Sequence, residues 1–151
     1  MRSLGEPEYT QIWDAFYARF HFKPGTHGPF PAITEPPGSI TFSLLPDSTD
    51  ADIDEFIAAM QSALKAATTP GHEIYYLDWQ HECFAFDPHA EPNPRFNGYP
   101  DGDYAILLAR DLSYGSFGHP WEDTICCFGD PFVREILRAP PRVFHEIKRR
   151  N

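Results

Sequence analysis

The chain has 151 residues, 42% apolar and 15% aromatic, with a formal net charge of −10. That is enough for one buried core and too little for two, so a single domain over residues 1–151 is expected. No apolar run reaches membrane-span length, and the opening MRSLGEPEYT lacks the apolar stretch of a secretory signal, so a soluble, cytoplasmic protein is expected, while its acidity speaks against nucleic acid and anionic lipid as partners.

In chain order, EYTQIWDAFYARF places Tyr9, Ile12, Trp13, Phe16, Tyr17 and Phe20 at three- and four-residue spacing, which predicts an amphipathic first helix. KPGTHGPFPAITEPPGS holds five prolines and three glycines and reads as a long loop, pinned to the core by Phe30 and Ile33. SITFSLL alternates as a half-buried strand does. A second helix follows through DIDEFIAAMQSALKAAT, capped by Thr49 or Asp50, with early acids that suit the positive end of its dipole.

Pro70-Gly71 ends that helix and EIYYLDW begins a strand. HECFAFD reads as another strand, with a tight bend near Trp79-Gln80, and PHAEPNPRFNGYPDG as a second Pro-rich loop. DYAILLA is a central strand, SYGSFG its antiparallel neighbour across a turn at Arg110-Asp111, and TICCFG a third. Asp130 is expected to cap a short helix, PFVREILR, and RVFHEIKRR reads as a last helical piece after Pro140-Pro141. The sum is an α+β domain, a mostly antiparallel sheet packed against helices in two layers.

Cys83, Cys126 and Cys127 fit neither a disulfide framework nor a spaced zinc knuckle and read as reduced, buried small hydrophobes. Charge is uneven: residues 134 to 151 carry a balance of +4, which leaves −14 on the first 133. The acidic body favours a basic protein partner, and the basic tail suits the end of a terminal helix.

Seven histidines is many for this length, and His27, His81, His89 and His119 fall in loops or at strand ends, where site residues concentrate. None has a diagnostic metal spacing, and no phosphate loop, nucleophile elbow or exposed cysteine in a basic setting occurs, so neither a cofactor nor a metal is expected and no catalytic residue is assigned.

Read as one strand, residues 78–85 put Asp78 and Glu82 on one face and Trp79 and His81 on the other, so an indole and an imidazole would wall a pocket or rim. YGSFGHPWED displays His119, Trp121 and Glu122 from a stiff bend that needs none of them to turn, which marks it as a binding rim. In YPDGDYAIL, Pro-Asp-Gly makes a turn and Asp103 starts the strand, although Asp101 and Asp103 are also a carboxylate pair.

YYLDWQHECFAFDPH, YPDGDYAILLARDLSYGSFGHPWEDTICCFG and YTQIWDAFYARFHFKPGTHGPFPAI together resemble the bacterial domain-of-unknown-function family 2716 over nearly the whole chain. The resemblance implies a small cytoplasmic bacterial protein and marks Asp78, Trp79, His81, His89, Asp103, His119, Pro120, Trp121 and Glu122 as candidate positions without giving them roles. The expected function is a binding module of the immunity or antitoxin kind, which neutralises a basic toxin. The alternative is a small hydrolase-like enzyme in which His119 or His81 works with a carboxylate or a bound metal.

Overall fold

A computed structural model describes residues 1–90 and 94–151. The expected second Pro-rich loop includes Glu91, Pro92 and Asn93, which lie outside the described residues.

The first helix, α1 (Glu8–Phe20), buries Ile12, Trp13, Phe16 and Phe20, the face its spacing predicts. Helix α2 (Asp50–Ala67) begins at Thr49, whose hydroxyl accepts the Asp52 amide while the Asp52 carboxylate accepts the Thr49 amide. This reciprocal box satisfies two donors that a helix start otherwise leaves unbonded. The short α3 (Phe132–Arg138) starts behind Pro131 with no side-chain cap. Asp130, expected as that cap, instead pairs with Arg134 at 2.8 Å.

Among the described residues eight strands form one antiparallel sheet: β1 (Arg2–Ser3), β2 (Ile40–Leu44), β3 (Ile74–Asp78), β4 (Phe84–Phe86), β5 (Ala105–Ala109), β6 (Gly115–His119), β7 (Thr124–Phe128) and β8 (Phe144–Arg150). Their order is β1-β4-β3-β5-β6-β7-β2-β8. The α+β class and the antiparallel sheet are as read from the sequence. The layering is fuller than two layers, because helices cover both faces. Tyr75, Leu77, Ile106, Leu108, Phe117, Cys126 and Phe128 join α1 in one cluster. Ile74, Leu107, Ile125 and Cys127 join α2 and α3 in the other. Burial on both faces is why AILLA and TICCF are apolar at nearly every position rather than alternating.

The chain's last segment is strand β8, not a helix. It pairs with the outer side of β2, with Phe42 opposite Ile147 and Leu44 opposite Phe144, and two bulges keep Phe144 in the core. Covering the edge of β2 outweighs the local helical spacing of Val143 and Ile147. The basic tail therefore meets no helix end.

All three cysteines are buried and free. Burial pushes the Cys126 thiol up to about 12 and Cys127 well above its ordinary value, so neither is poised as a thiolate.

Two glycines in β6 set the shape of the sheet's end. A Cβ at Gly115 would stand 2.0 Å from the Leu107 carbonyl oxygen, and one at Gly118 would stand 2.7 Å from that of Gly98. The missing side chain at 118 thus lets the segment carrying Asn97, Gly98 and Tyr99 cross close over the strand.

Candidate functional site

Antiparallel pairing gathers the sequence's polar corners at one end of the sheet. Asp78 stands opposite Ala105, Ala105 opposite Gly118, and His119 opposite Thr124, which in turn faces Ser43. The loops at that end carry Asp47, Asp101, Asp103 and Asp123. Two depressions open there, of about 440 and about 320 Å³, and both are lined by Ile53 and Tyr99. Among the described residues lining them are five carboxylates, Asp47, Asp78, Asp101, Asp103 and Asp123, and one guanidinium, Arg95.

The larger depression contains a pair of aspartates from separate strands. Strand β3 ends at Asp78, and residues 79–81 bend instead of continuing the strand. In that bend the Asp78 Oδ1 accepts the amides of Gln80 and His81, each at 3.1 Å, and lies 2.9 Å from His81 Nδ1. The bend expected near Trp79-Gln80 is there, and it puts Asp78 and His81 together where the one-strand reading of 78–85 set them on opposite faces. Trp79 points away and packs edge-on to Tyr104 at 5.6 Å.

Asp103 is more than the start of a strand. Its side chain is 7% exposed, its Oδ2 accepts the Gln80 amide at 2.9 Å, and His81 Nδ1 is 3.5 Å away. One of its oxygens lies within 4.8 Å of one of Asp78, and its Oδ1 accepts the Tyr104 amide at 2.8 Å. Burial, then the neighbouring Asp78, pushes Asp103 up to about 6. Burial acts the same way on Asp78, but hydrogen bonds from Asp103, His81 and the Gln80 amide outweigh it and hold that carboxyl down. Two like charges in one site titrate as a pair, which holds one proton below about pH 6. The bond to Asp78 raises the His81 imidazole, whose ring is 70% exposed.

Donor atoms of Asp78, His81 and Asp103 lie within 4.8 Å of one another, close enough to consider a metal ion. However, the two oxygens nearest the imidazole already accept the Gln80 amide, at 3.1 and 2.9 Å. Each of those oxygens therefore has one lone pair engaged by the backbone.

The other expected site residues are held structurally. His119 is 1% exposed, against the expectation that its ring stands outward. Its Nδ1 accepts the amides of Trp121 (3.3 Å) and Glu122 (3.1 Å), which fixes the neutral ring with its proton on Nε2. Nε2 has no hydrogen-bond partner, and the rings of Phe30 and Tyr104 lie edge-on to the imidazole at 4.8 and 4.9 Å. Burial lowers the His119 pKa.

Trp121 is half-buried, 5.2 Å from Tyr104. The Glu122 side chain is 5% exposed and bound at both oxygens by Arg149, at 2.8 and 2.9 Å. His89 Nε2 lies 2.7 Å from the Thr68 carbonyl and 3.1 Å from that of Lys65, at the end of α2. The bend at 119–123 is thus an internal corner. Its organiser is Tyr104, wholly buried, in ring contact with Phe22, Trp79, Phe117, His119 and Trp121, and bonded through its hydroxyl to Gly25.

A family model described as "Protein of unknown function (DUF2716)" matches residues 3–133. The chain belongs to that family. It is also similar to the uncharacterized protein YxiI of Bacillus subtilis (strain 168), 27% identical over 155 residues that cover 95% of this chain and 96% of that protein. No solved structure matches the chain. No helix among the described residues is long and apolar enough to cross a membrane.

Proposed function

We propose that this protein is a cytoplasmic binding module of the immunity or antitoxin type, which covers a basic toxin with the acidic end of its sheet. The segregation of charge supports this reading. Five carboxylates line the joined depressions, whereas arginines of the C-terminal segment are bound to acids of the body: Arg142 to Asp52, and Arg149 to Glu35 and Glu122. A surface of one sign speeds encounter with a partner of the other and excludes anionic competitors. The test is calorimetry with the purified product of the neighbouring gene at low and high salt. Binding that weakens with salt, and weakens further in Asp101→Lys and Asp123→Lys but not in Asp14→Lys on α1, is expected. No affinity, or affinity indifferent to all three changes, removes the reading.

A second reading, a small enzyme, is favoured by one contact, the 2.9 Å approach of His81 Nδ1 to Asp78. A carboxylate so placed fixes the imidazole tautomer and leaves Nε2 at the surface as a base. His119 has no such freedom, since its Nδ1 is tied to two amides. Turnover of simple chromogenic esters that is lost in His81→Ala and has a pH profile altered by Asp78→Asn would favour this reading. No turnover beyond buffer would count against it.

A further inference from the structure

We infer that the Asp78–Asp103 pair is the anchor of the acidic depression and receives one arginine side chain of the basic partner; this deepens the binding reading above and rests on it. The chain shows what it does with two converging carboxylates elsewhere. Arg149 lies between Glu35 and Glu122 and donates to both, with Nε and Nη2 on one and Nη1 and Nη2 on the other, at 2.7 to 3.0 Å. At Asp78 and Asp103 the oxygens accept the Gln80 and Tyr104 amides beside the His81 ring nitrogen, and below about pH 6 the pair holds one proton between them.

Both aspartates line the depression while His81 does not, so a cation arriving through the depression meets carboxylate oxygen. A planar fork of N–H donors can bridge two carboxylates without displacing the Gln80 amide. Tyr76 and Tyr99 give the side chain's stem apolar walls.

Entry of a guanidinium makes the doubly ionised pair favourable, and the shared proton leaves to solvent. The groups that face the pair are His81 from the bend, Tyr76 and Cys83 from the β3–β4 side, and Asp101, Tyr104 and Arg95 around the depression. Of these, the His81 imidazole is raised by its bond to Asp78. Its protonation at low pH opposes the incoming cation, in the same direction as the pair.

The probe is a hexa-arginine peptide, titrated by calorimetry at pH 5, 6 and 7 in two buffers of different protonation enthalpy, with hexa-lysine alongside. With Asp103 near 6, affinity is expected to rise about tenfold from pH 5 to pH 7, with proton release at pH 6 and arginine preferred to lysine. Asp103→Asn and Asp78→Asn should each weaken binding at pH 7 by about tenfold and abolish the release. His81→Ala should keep the release, and Asp14→Asn should change nothing.

Proton release is read on the wild-type protein, so the test survives a variant that fails to fold. Arginine binding without proton release, or unchanged in Asp103→Asn, overturns the inference. So does manganese or zinc chloride that binds the free protein and loses its affinity in His81→Ala, since the triad would then be a metal site. If Asp101→Lys and Asp123→Lys abolish binding of the neighbouring gene product while Asp103→Asn leaves it intact, the anchor is wrong and the binding reading stands. If none of the three matters, the reading itself fails.

Discussion

Two of the places where this molecule draws carboxylates together are neutralised by different means. Beside β2, the guanidinium of Arg149 from β8 lies between Glu35, which precedes β2, and Glu122 in the turn before β7, whose side chains are 4% and 5% exposed. Burial alone would raise both acids, yet the bonds from Arg149, with help from Thr41 and Thr124, hold them below the ordinary range. At the end of β3 and just before β5, Asp78 and Asp103 have backbone amides and an exposed imidazole, and Asp103 is pushed up to about 6. Desolvation is comparable in kind at the two places, and the local charge decides the outcome. The first pair is held by a buried guanidinium. The second lies at the mouth of a depression, with the imidazole of His81 as its paired cation.

The sharpest way to break the comparison is to remove the guanidinium. Arg149→Met strands two buried carboxylates and is expected to cost about 3 kcal/mol in urea unfolding. Adding Glu35→Gln and Glu122→Gln should return most of that loss, because the penalty comes from unpaired charge rather than from a missing attraction. Glu122→Gln alone leaves Arg149 a full partner in Glu35 and should cost roughly 1 kcal/mol. Acid should act on this region in one direction. Acids with lowered folded pKa values contribute stability above their ordinary value near 4.5 and lose it as pH falls through the folded value.

How far each region was legible in the sequence follows from the distance between its parts. Helical spacing gave α1 and α2, and apolar runs bounded by turn residues gave β5, β6 and β7, because those signals lie within one element. Strand β8 is short enough that Val143, Phe144 and Ile147 fit either period, and only the open edge of β2 decides. The Glu35–Arg149 contact joins residues 114 apart with no local signal. Asp78 and His81 were legible as candidates, and so was the bend near Trp79-Gln80, but their faces were read from strand alternation, which the bend interrupts. Asp103 joins them only through the pairing of β3 with β5, in which Asp78 faces Ala105. That pairing could have been read from an aspartate ending one apolar strand and another preceding its neighbour. His119 misled for the opposite reason. A polar ring before a proline looks displayed, yet two backbone amides needed an acceptor and the core supplied aromatic walls.

The Asp78–Asp103 pair should respond to pH with the opposite sign. A carboxyl whose folded pKa is raised binds more protons in the folded state between its ordinary value and about 6, so its contribution to stability falls as pH rises through that window. Asp103→Asn keeps an oxygen for one of the two amides that Asp103 accepts, those of Gln80 and Tyr104, and removes the repulsion. Relative to wild type, it is expected to gain about 1 kcal/mol of stability as pH goes from 5 to 7. The comparison must be made as a difference between the two proteins. Buried His119, with its lowered pKa, loses its own contribution as pH falls below about 6.5, and that slope is common to both. A difference that stays flat between pH 5 and 7 would mean that the pair is structurally matched after all, by a cation or a bond equivalent to Arg149.

The smallest effect should come from the imidazole beside that pair. His81 is 70% exposed, so its ion pair with Asp78 is screened by water, and His81→Ala should barely move the unfolding transition. Its signature lies in titration. In wild type the bond to Asp78 raises the imidazole, so its nuclear magnetic resonance signal should titrate above the ordinary histidine value, and Asp78→Asn should return it there. Asp103→Asn should lower it less, because Asp103 Oδ2 is 3.5 Å from the ring nitrogen where Asp78 Oδ1 is 2.9 Å. If Asp103→Asn moved it as far as Asp78→Asn, the two carboxylates would be sharing the imidazole equally. A cation entering the depression would then have to compete with His81 for both aspartates, and arginine peptide should displace the ring from each.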